Sequence, residues 1–129
     1  MLNIFCDGVF DMFHGGHINH FKSIKTLFKN SKLIVGVMSD KDVINYKRKP
    51  HYCENIRKEM VESCKYVDEV LLDYPLVITN EFLIEKNINY VVHAFSNDND
   101  LEKQLKYFIT PIKLNQFYVL DYNHGISTT

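Results

Sequence analysis

The sequence predicts an open α/β sheet of five parallel strands with helices on both faces, and three stretches predict it. Leu2 to Cys6 is short, mostly apolar and uncharged, which suits a strand covered on both faces and makes it the expected central strand. From Ile18 onward the apolar residues Ile18, Phe21, Ile24 and Phe28 recur at intervals of three or four, the period of a helix that packs one stripe back onto that strand. Leu33 to Met38, LIVGVM, is a second buried strand rich in branched residues, so the three segments form a right-handed strand–helix–strand crossover.

The remaining elements follow in order. Asn30 and Ser31 break the first helix, and Ser39 and Asp40 offer oxygens to cap a short helix through Val43. Tyr46 to Pro50, YKRKP, reads as a basic loop, followed by a helix to about Cys64 with Ile56, Met60 and Val61 on its buried face. Val67 to Leu72 is the third strand and Asp73 to Val77 a loop; Thr79 caps the next helix, with Glu81 in its first turn and Phe82 and Leu83 inward. Ile88 to His93 is the fourth strand, ending at His93. Leu101 to Phe108 is a helix with Leu101, Leu105 and Phe108 on one side, stopped by Pro111, and Phe117 to Leu120 is the last strand.

Composition bounds the function. A chain of 129 residues reads as one domain, 1–129, able to bury roughly two-thirds of its unfolded surface. Hydrophobic residues at 46% and charged ones at 24% are ordinary for a globular protein, and a formal charge of −1 argues against a general nucleic-acid binder. Three cysteines without a Cys-x-x-Cys pair fit free thiols in a reducing compartment, so Cys6, Cys53 and Cys64 are read as packing residues. The first strand begins at once without a signal-type leader, and no apolar run approaches a membrane span; the expected location is cytoplasmic.

The chemistry is expected at His14, Gly15, Gly16 and His17, between the first strand's carboxyl end and the first helix. Open α/β sheets bind ligands at that edge, and a helix amino terminus favours phosphate. The two glycines remove side chains that would hold a phosphate away. The two histidines, three apart, can point the same way and donate hydrogen bonds to oxygens that gain charge during phosphoryl transfer. They are not read as a metal site, because zinc needs three or four converging ligands. His20 and His51 have no such context and are read as surface residues.

The segment CDGVFDMFHGGHINHFK followed by LIVGVMSD resembles the cytidylyltransferase family, with its His-x-Gly-His motif after the first strand. NYK at Asn45 to Lys47, KYVDEVL at Lys65 to Leu71, TNEFL at Thr79 to Leu83 and HGISTT at His124 to Thr129 recur in the family's order, so the resemblance covers nearly the whole chain. It is similar to the CTP:phosphocholine, CTP:phosphoethanolamine and CTP:glycerol-3-phosphate enzymes. The resemblance implies a Rossmann-like domain that transfers CMP from CTP to a phosphorylated alcohol, with Mg²⁺ travelling with the nucleotide, and a homodimer. It implies catalytic roles for His14, His17 and Lys47. Nucleotide contacts fall to Gly8 and Phe10 through their backbone N–H groups, to Gly16 and His93, and to Gly125, Ile126, Ser127 and Thr128. Asp11 and Arg57 become acceptor contacts. Asp11 could equally cap its turn, and Arg57 could equally be a helix-surface arginine paired with Glu54 or Glu62. On composition alone, the run Lys47 to Lys49 is a solvated surface.

Three departures bear on function. Leu76 stands where the phosphocholine enzymes have the tryptophan whose aromatic face suits a quaternary ammonium. Ala94 and Phe95 follow His93 where acidic residues are usual, although Asp98 or Asp100 could fold back. Tyr122, Asn123 and His124 replace an Arg-Thr-Glu run, and relatives start a helix where this sequence reaches Thr129. A non-catalytic nucleotide-binding module of the same fold, or an adenylyltransferase using ATP, are the rival readings.

Overall fold

The computed structural model describes residues 1–46 and 49–121. Its sheet has five strands, β1 (Leu2–Gly8), β2 (Ser31–Val37), β3 (Glu69–Leu71), β4 (Tyr90–Phe95) and β5 (Phe117–Asp121), in the order β3-β2-β1-β4-β5. Every pairing is parallel, and β1 is central as its uncharged start predicts. The α/β class and strand number read from the sequence are therefore those of the structure.

Alternate residues of the strands feed two cores. Ile4, Cys6, Leu33, Val35 and Val37 pack with Phe21 and Ile24 of α1 (Gly15–Leu27) and Val61 of α3 (Glu54–Glu62). Phe5, Ile34 and Val91 join Phe82 and Leu83 of α4 (Asn80–Glu85), and Phe108, in the second core. That division follows from the two-residue repeat of a strand, which sends neighbours to opposite faces.

Several elements differ from expectation. The short α2 (Asp40–Tyr46) runs beyond Val43, with the Ser39 hydroxyl accepting from Asp42 N–H as its predicted cap. In α3, Ile56 is 45% exposed and the residue turned inward is Arg57, beside Val61. Strand β3 is shorter than Val67 to Leu72; just before it, Asp68 donates its backbone N–H to Leu33 O at 3.0 Å, and its Oδ2 accepts from Leu33 N–H and Lys25 Nζ. Strand β4 begins later than Ile88 and continues past His93 to Phe95. The single helix expected from Leu101 divides into α5 (Asp98–Gln104), a 3₁₀ turn (Leu105–Tyr107) and α6 (Ile109–Lys113). Pro111 lies within α6 rather than stopping a helix. It occupies the first turn, where an amide N–H has no intrahelical partner and a proline costs little. Leu105, expected inward, is 40% exposed, while Phe108 is buried. Cys6 and Cys64 are buried as packing residues, but Cys53 is exposed at the start of α3. Among the described residues no helix is long and apolar enough to cross a membrane.

Candidate active site

The strand order reverses direction between β1 and β4, the switch point at which a crevice opens beyond the carboxyl ends. A cavity of about 560 Å³ lies there. Of the residues predicted from sequence, it brings together Gly8, Phe10, Asp11, His14, Gly16, His17 and His93. Leu76 also lines it.

The histidine turn is built as a reciprocal helix cap. His14, extended at φ −146° and ψ −178°, accepts from Gly16 N–H through Nδ1 at 2.9 Å, and His17 Nδ1 accepts from His14 N–H at 3.2 Å. A capping box ordinarily uses Ser or Thr with Glu. Here two imidazoles do the same work, and their rings stack at 4.1 Å. An Nδ1 that accepts cannot carry the ring proton, so each neutral ring bears it on Nε2 as a donor. Burial, with the neighbouring His14 and His20 rings, pulls the His17 pKa down to about 4. His17 is thus neutral near pH 7, and its ring is further fixed by Phe13, stacked 5.5 Å away, and Phe10 edge-on.

Phe10 has a φ of 53°, a left-handed conformation unusual for a bulky residue, and its ring is buried over Gly8. A Cβ on Gly8 would stand 2.9 Å from that ring, so glycine lets the turn close. Asp11 holds the segment before α3: its carboxylate accepts from His51 N–H at 2.8 Å and Tyr52 N–H at 2.9 Å, and meets His51 Nδ1 at 3.0 Å. Burial works to raise the Asp11 pKa, but those backbone and ring contacts outweigh it and bring it down to about 2. His51, exposed as expected, therefore has a partner. His20, read as a surface residue, instead lines the cavity and is half-buried.

Arg57 occupies neither place the sequence suggested. Its side chain is fully buried and pairs with Asp40 at 2.6 Å, not with Glu54 or Glu62. Nε donates to Tyr52 O, and Nη1 to both Val9 O and Met38 O. One guanidinium thus joins the segments after β1, after β2 and before α3, and acts on the cavity by positioning its rim.

Beneath the cavity a chain of polar side chains crosses the sheet edge. Tyr74 OH donates to Asp7 Oδ2 at 3.0 Å, and Asp7 Oδ1 lies 3.7 Å from His93 Nδ1. His93 hydrogen bonds the Gln104 side chain, Gln104 Nε2 donates to Asp100 Oδ1 at 2.6 Å, and Asp100 Oδ2 accepts from Ser96 N–H. Burial raises Asp7 to about 6 against the lowering effect of the Tyr74 bond. Burial and the His20 ring lower His93 to about 4, outweighing Asp100 and Gln104. Asp7 loses its proton only where His93 is already neutral, so their contact is polar rather than an ion pair. Asp100 reaches the cavity as one of the two aspartates expected to fold back; Asp98 does not line it.

Lys47, Gly125, Ile126, Ser127 and Thr128 lie outside the described residues. Sequence reasoning missed His20 and Gln104. Each had a local signal: His20 follows His17 by three on α1, and Gln104 follows Asp100 by four on α5, spacings that share a helix face. Tyr74 had none, because its partner is distant in sequence.

A cytidylyltransferase-like family model matches residues 5–129. Choline-phosphate cytidylyltransferase A of Rattus norvegicus is 36% identical over 99% of this chain, and the ethanolamine-phosphate cytidylyltransferase of Arabidopsis thaliana 38% identical over 72%. The chain spans about a third of the length of the first and a quarter of the second, at 35% and 23%. Among solved structures, the lipopolysaccharide core biosynthesis protein of Thermoplasma volcanium superposes with a TM-score of 0.71 at 26% identity, covering 94% of this chain and 97% of that one. With the histidine turn at the switch point of the sheet and the family model spanning nearly every residue, the chain belongs to the cytidylyltransferase-like family.

Proposed function

We propose that this chain transfers CMP from CTP to a phosphorylated alcohol. The observation that carries the reading is the histidine cap: His14 and His17 spend Nδ1 on the backbone, which leaves Nε2–H of each as a donor at the cavity. Donors fixed before the reaction stabilise charge developing on phosphate oxygens without reorganising. A phosphate oxygen of the acceptor attacks the α-phosphorus in line, the bond from that phosphorus to the bridging oxygen of the β-phosphate breaks, and pyrophosphate leaves. No proton need move and no covalent enzyme intermediate forms.

Gly8, Phe10, Gly16 and His93 flank the nucleotide in this reading, with Lys47 and the run Gly125, Ile126, Ser127 and Thr128 around its phosphates. Asp11 remains ionised at the acceptor end; Arg57 supports that end from beneath. The described cavity carboxylates Asp7, Asp11 and Asp100 already have hydrogen-bond partners, and among the described residues no three metal-binding side chains gather. Mg²⁺ fits this chain as a companion of the triphosphate, where it would offset the charge of the leaving group. The relatives act on choline and ethanolamine phosphates by name. Leu76 offers no aromatic face in this cavity, which favours ethanolamine phosphate or glycerol 3-phosphate over a quaternary ammonium. The cytoplasmic homodimer belongs to the same reading and is open to sedimentation analysis.

Pyrophosphate release with Mg²⁺ and CTP, measured against a panel of phosphorylated alcohols, tests the proposal. Release that requires one acceptor and disappears in His17→Ala supports it. Clear CTP binding without release for any acceptor would leave the non-catalytic module as the better reading.

A further inference from the structure

We propose that Gln104, clamped between Asp100 and His93, reads the base of the bound nucleotide. The inference rests on the nucleotide-binding reading and deepens it. The phosphates are assigned to the α1 end of the cavity, and the nucleoside must then extend along its remaining length. Asp100, Gln104 and His93 line that same cavity from β4 and α5.

An unrestrained glutamine discriminates poorly, because its amide can turn over and exchange donor for acceptor. Gln104 cannot do so without loss. Nε2 donates to Asp100 Oδ1 at 2.6 Å, and the same side chain hydrogen bonds the His93 ring. Asp100 is itself anchored by Ser96 N–H at 2.9 Å, and its own N–H is held by Asn97 Oδ1 at 2.8 Å. The amide therefore has a set orientation.

Valence then states what the pair can read. A carboxylate accepts up to about four hydrogen bonds, and an amide nitrogen donates two. With one carboxylate oxygen bonded to Ser96 and the other to Gln104, Asp100 retains acceptor capacity beside the second Nε2–H of Gln104. Adjacent acceptor and donor complement an exocyclic amine beside an unprotonated ring nitrogen, the edge that cytosine carries and uracil reverses. A lactam oxygen against Asp100 would meet a charged acceptor and gain nothing. Ala94 and Phe95 supply no acid directly after His93, and the acid, Asp100, arrives on the following helix, α5.

Calorimetric affinities of the full chain for CTP, UTP, ATP and GTP with Mg²⁺ test this, in the parent, Gln104→Leu and Asp100→Asn. The parent is expected to prefer CTP to UTP. Gln104→Leu should reduce that ratio roughly tenfold, with CTP affinity falling. Asp100→Asn should move the ratio the same way, because an amide can donate to a lactam oxygen. If Gln104→Leu does not fold, judged by circular dichroism, Asp100→Asn carries the test. An unchanged CTP to UTP ratio in the folded variants would overturn the role of Gln104 and leave the transferase reading intact. A parent that prefers UTP or GTP would also overturn it. Preference for ATP that still depends on Gln104 would keep the role and overturn the cytidylyl reading; a parent that binds no nucleotide would overturn both.

Discussion

His14 serves two ends with one ring, and substitution can separate them. Its Nδ1 caps α1 by accepting from Gly16 N–H, and its Nε2–H is the donor assigned to phosphate. His14→Ala should lower stability by about 1 kcal/mol, the usual cost of a lost cap, and lower pyrophosphate release about a hundredfold or more. His14→Asn should restore most of the stability in a urea melt, since asparagine caps well, without restoring release. Titration gives a second test at this scale. His17 and His93 stand near 4 in the folded chain against an ordinary 6.5, so between those values the unfolded chain binds more protons and stability falls as pH falls. Asp7 has the opposite sign: raised from 3.8 to about 6, it makes the folded chain take up protons in that interval and offsets part of the loss. Asp7→Asn should therefore make the fall in urea midpoint between pH 6 and pH 4 steeper than in the parent. An equal or shallower slope would count against the raised Asp7. The His-Gly-Gly-His turn was legible because glycine, histidine and strand end are local signals; the tautomer was not, since it depends on which backbone N–H each Nδ1 meets.

At the scale of elements, α3 shows where periodicity misleads. Its apolar residues suggested Ile56 on the inner face, yet Arg57 takes that position because the loops around it present Tyr52, Val9 and Met38 carbonyls that need donors. A buried backbone acceptor without a partner is costly, and the planar guanidinium satisfies three of them together with Asp40. Arg57→Met should destabilise by about 3 kcal/mol or more, since it leaves those acceptors unsatisfied. Arg57→Lys should recover little of it in the same melt, because an ammonium cannot span the directions that Nε, Nη1 and Nη2 cover. A mild effect of Arg57→Met would instead mean that water reaches the carbonyls. The helix starts were easier to read: Thr79 accepts from Phe82 N–H as predicted, because a cap is fixed by residues within one turn. The breakup of the Leu101 to Phe108 segment was not, because burial of Phe108 against Phe95 and Phe117 decides it.

For the whole molecule, alternation of strand and helix was enough to recover the sheet, and β1 was legible as its centre because only a strand covered on both faces can dispense with polar alternation. What the alternation could not convey is the tie between the sheet's interior and the cavity floor. Gly36, in β2, leaves room for the Tyr74 ring: a Cβ there would lie 2.9 Å from Tyr74 Cε1 and 2.8 Å from Phe5 Cζ. Tyr74 in turn bonds Asp7, which faces His93, so a methyl group added within the sheet should be felt at the site. Gly36→Ala is expected to cost about 1–3 kcal/mol through overpacking, with Tyr74 displaced from Asp7. Tyr74→Ala removes one of the two crowded rings, so the double variant should be less destabilised than the sum of the single ones in a urea-melt cycle. Strict additivity would mean that Phe5 alone bears the clash. In that case nucleotide affinity should be untouched by Gly36→Ala, whereas displacement of Tyr74 should weaken it, because Asp7 would lose the hydrogen bond that holds its carboxylate beside His93.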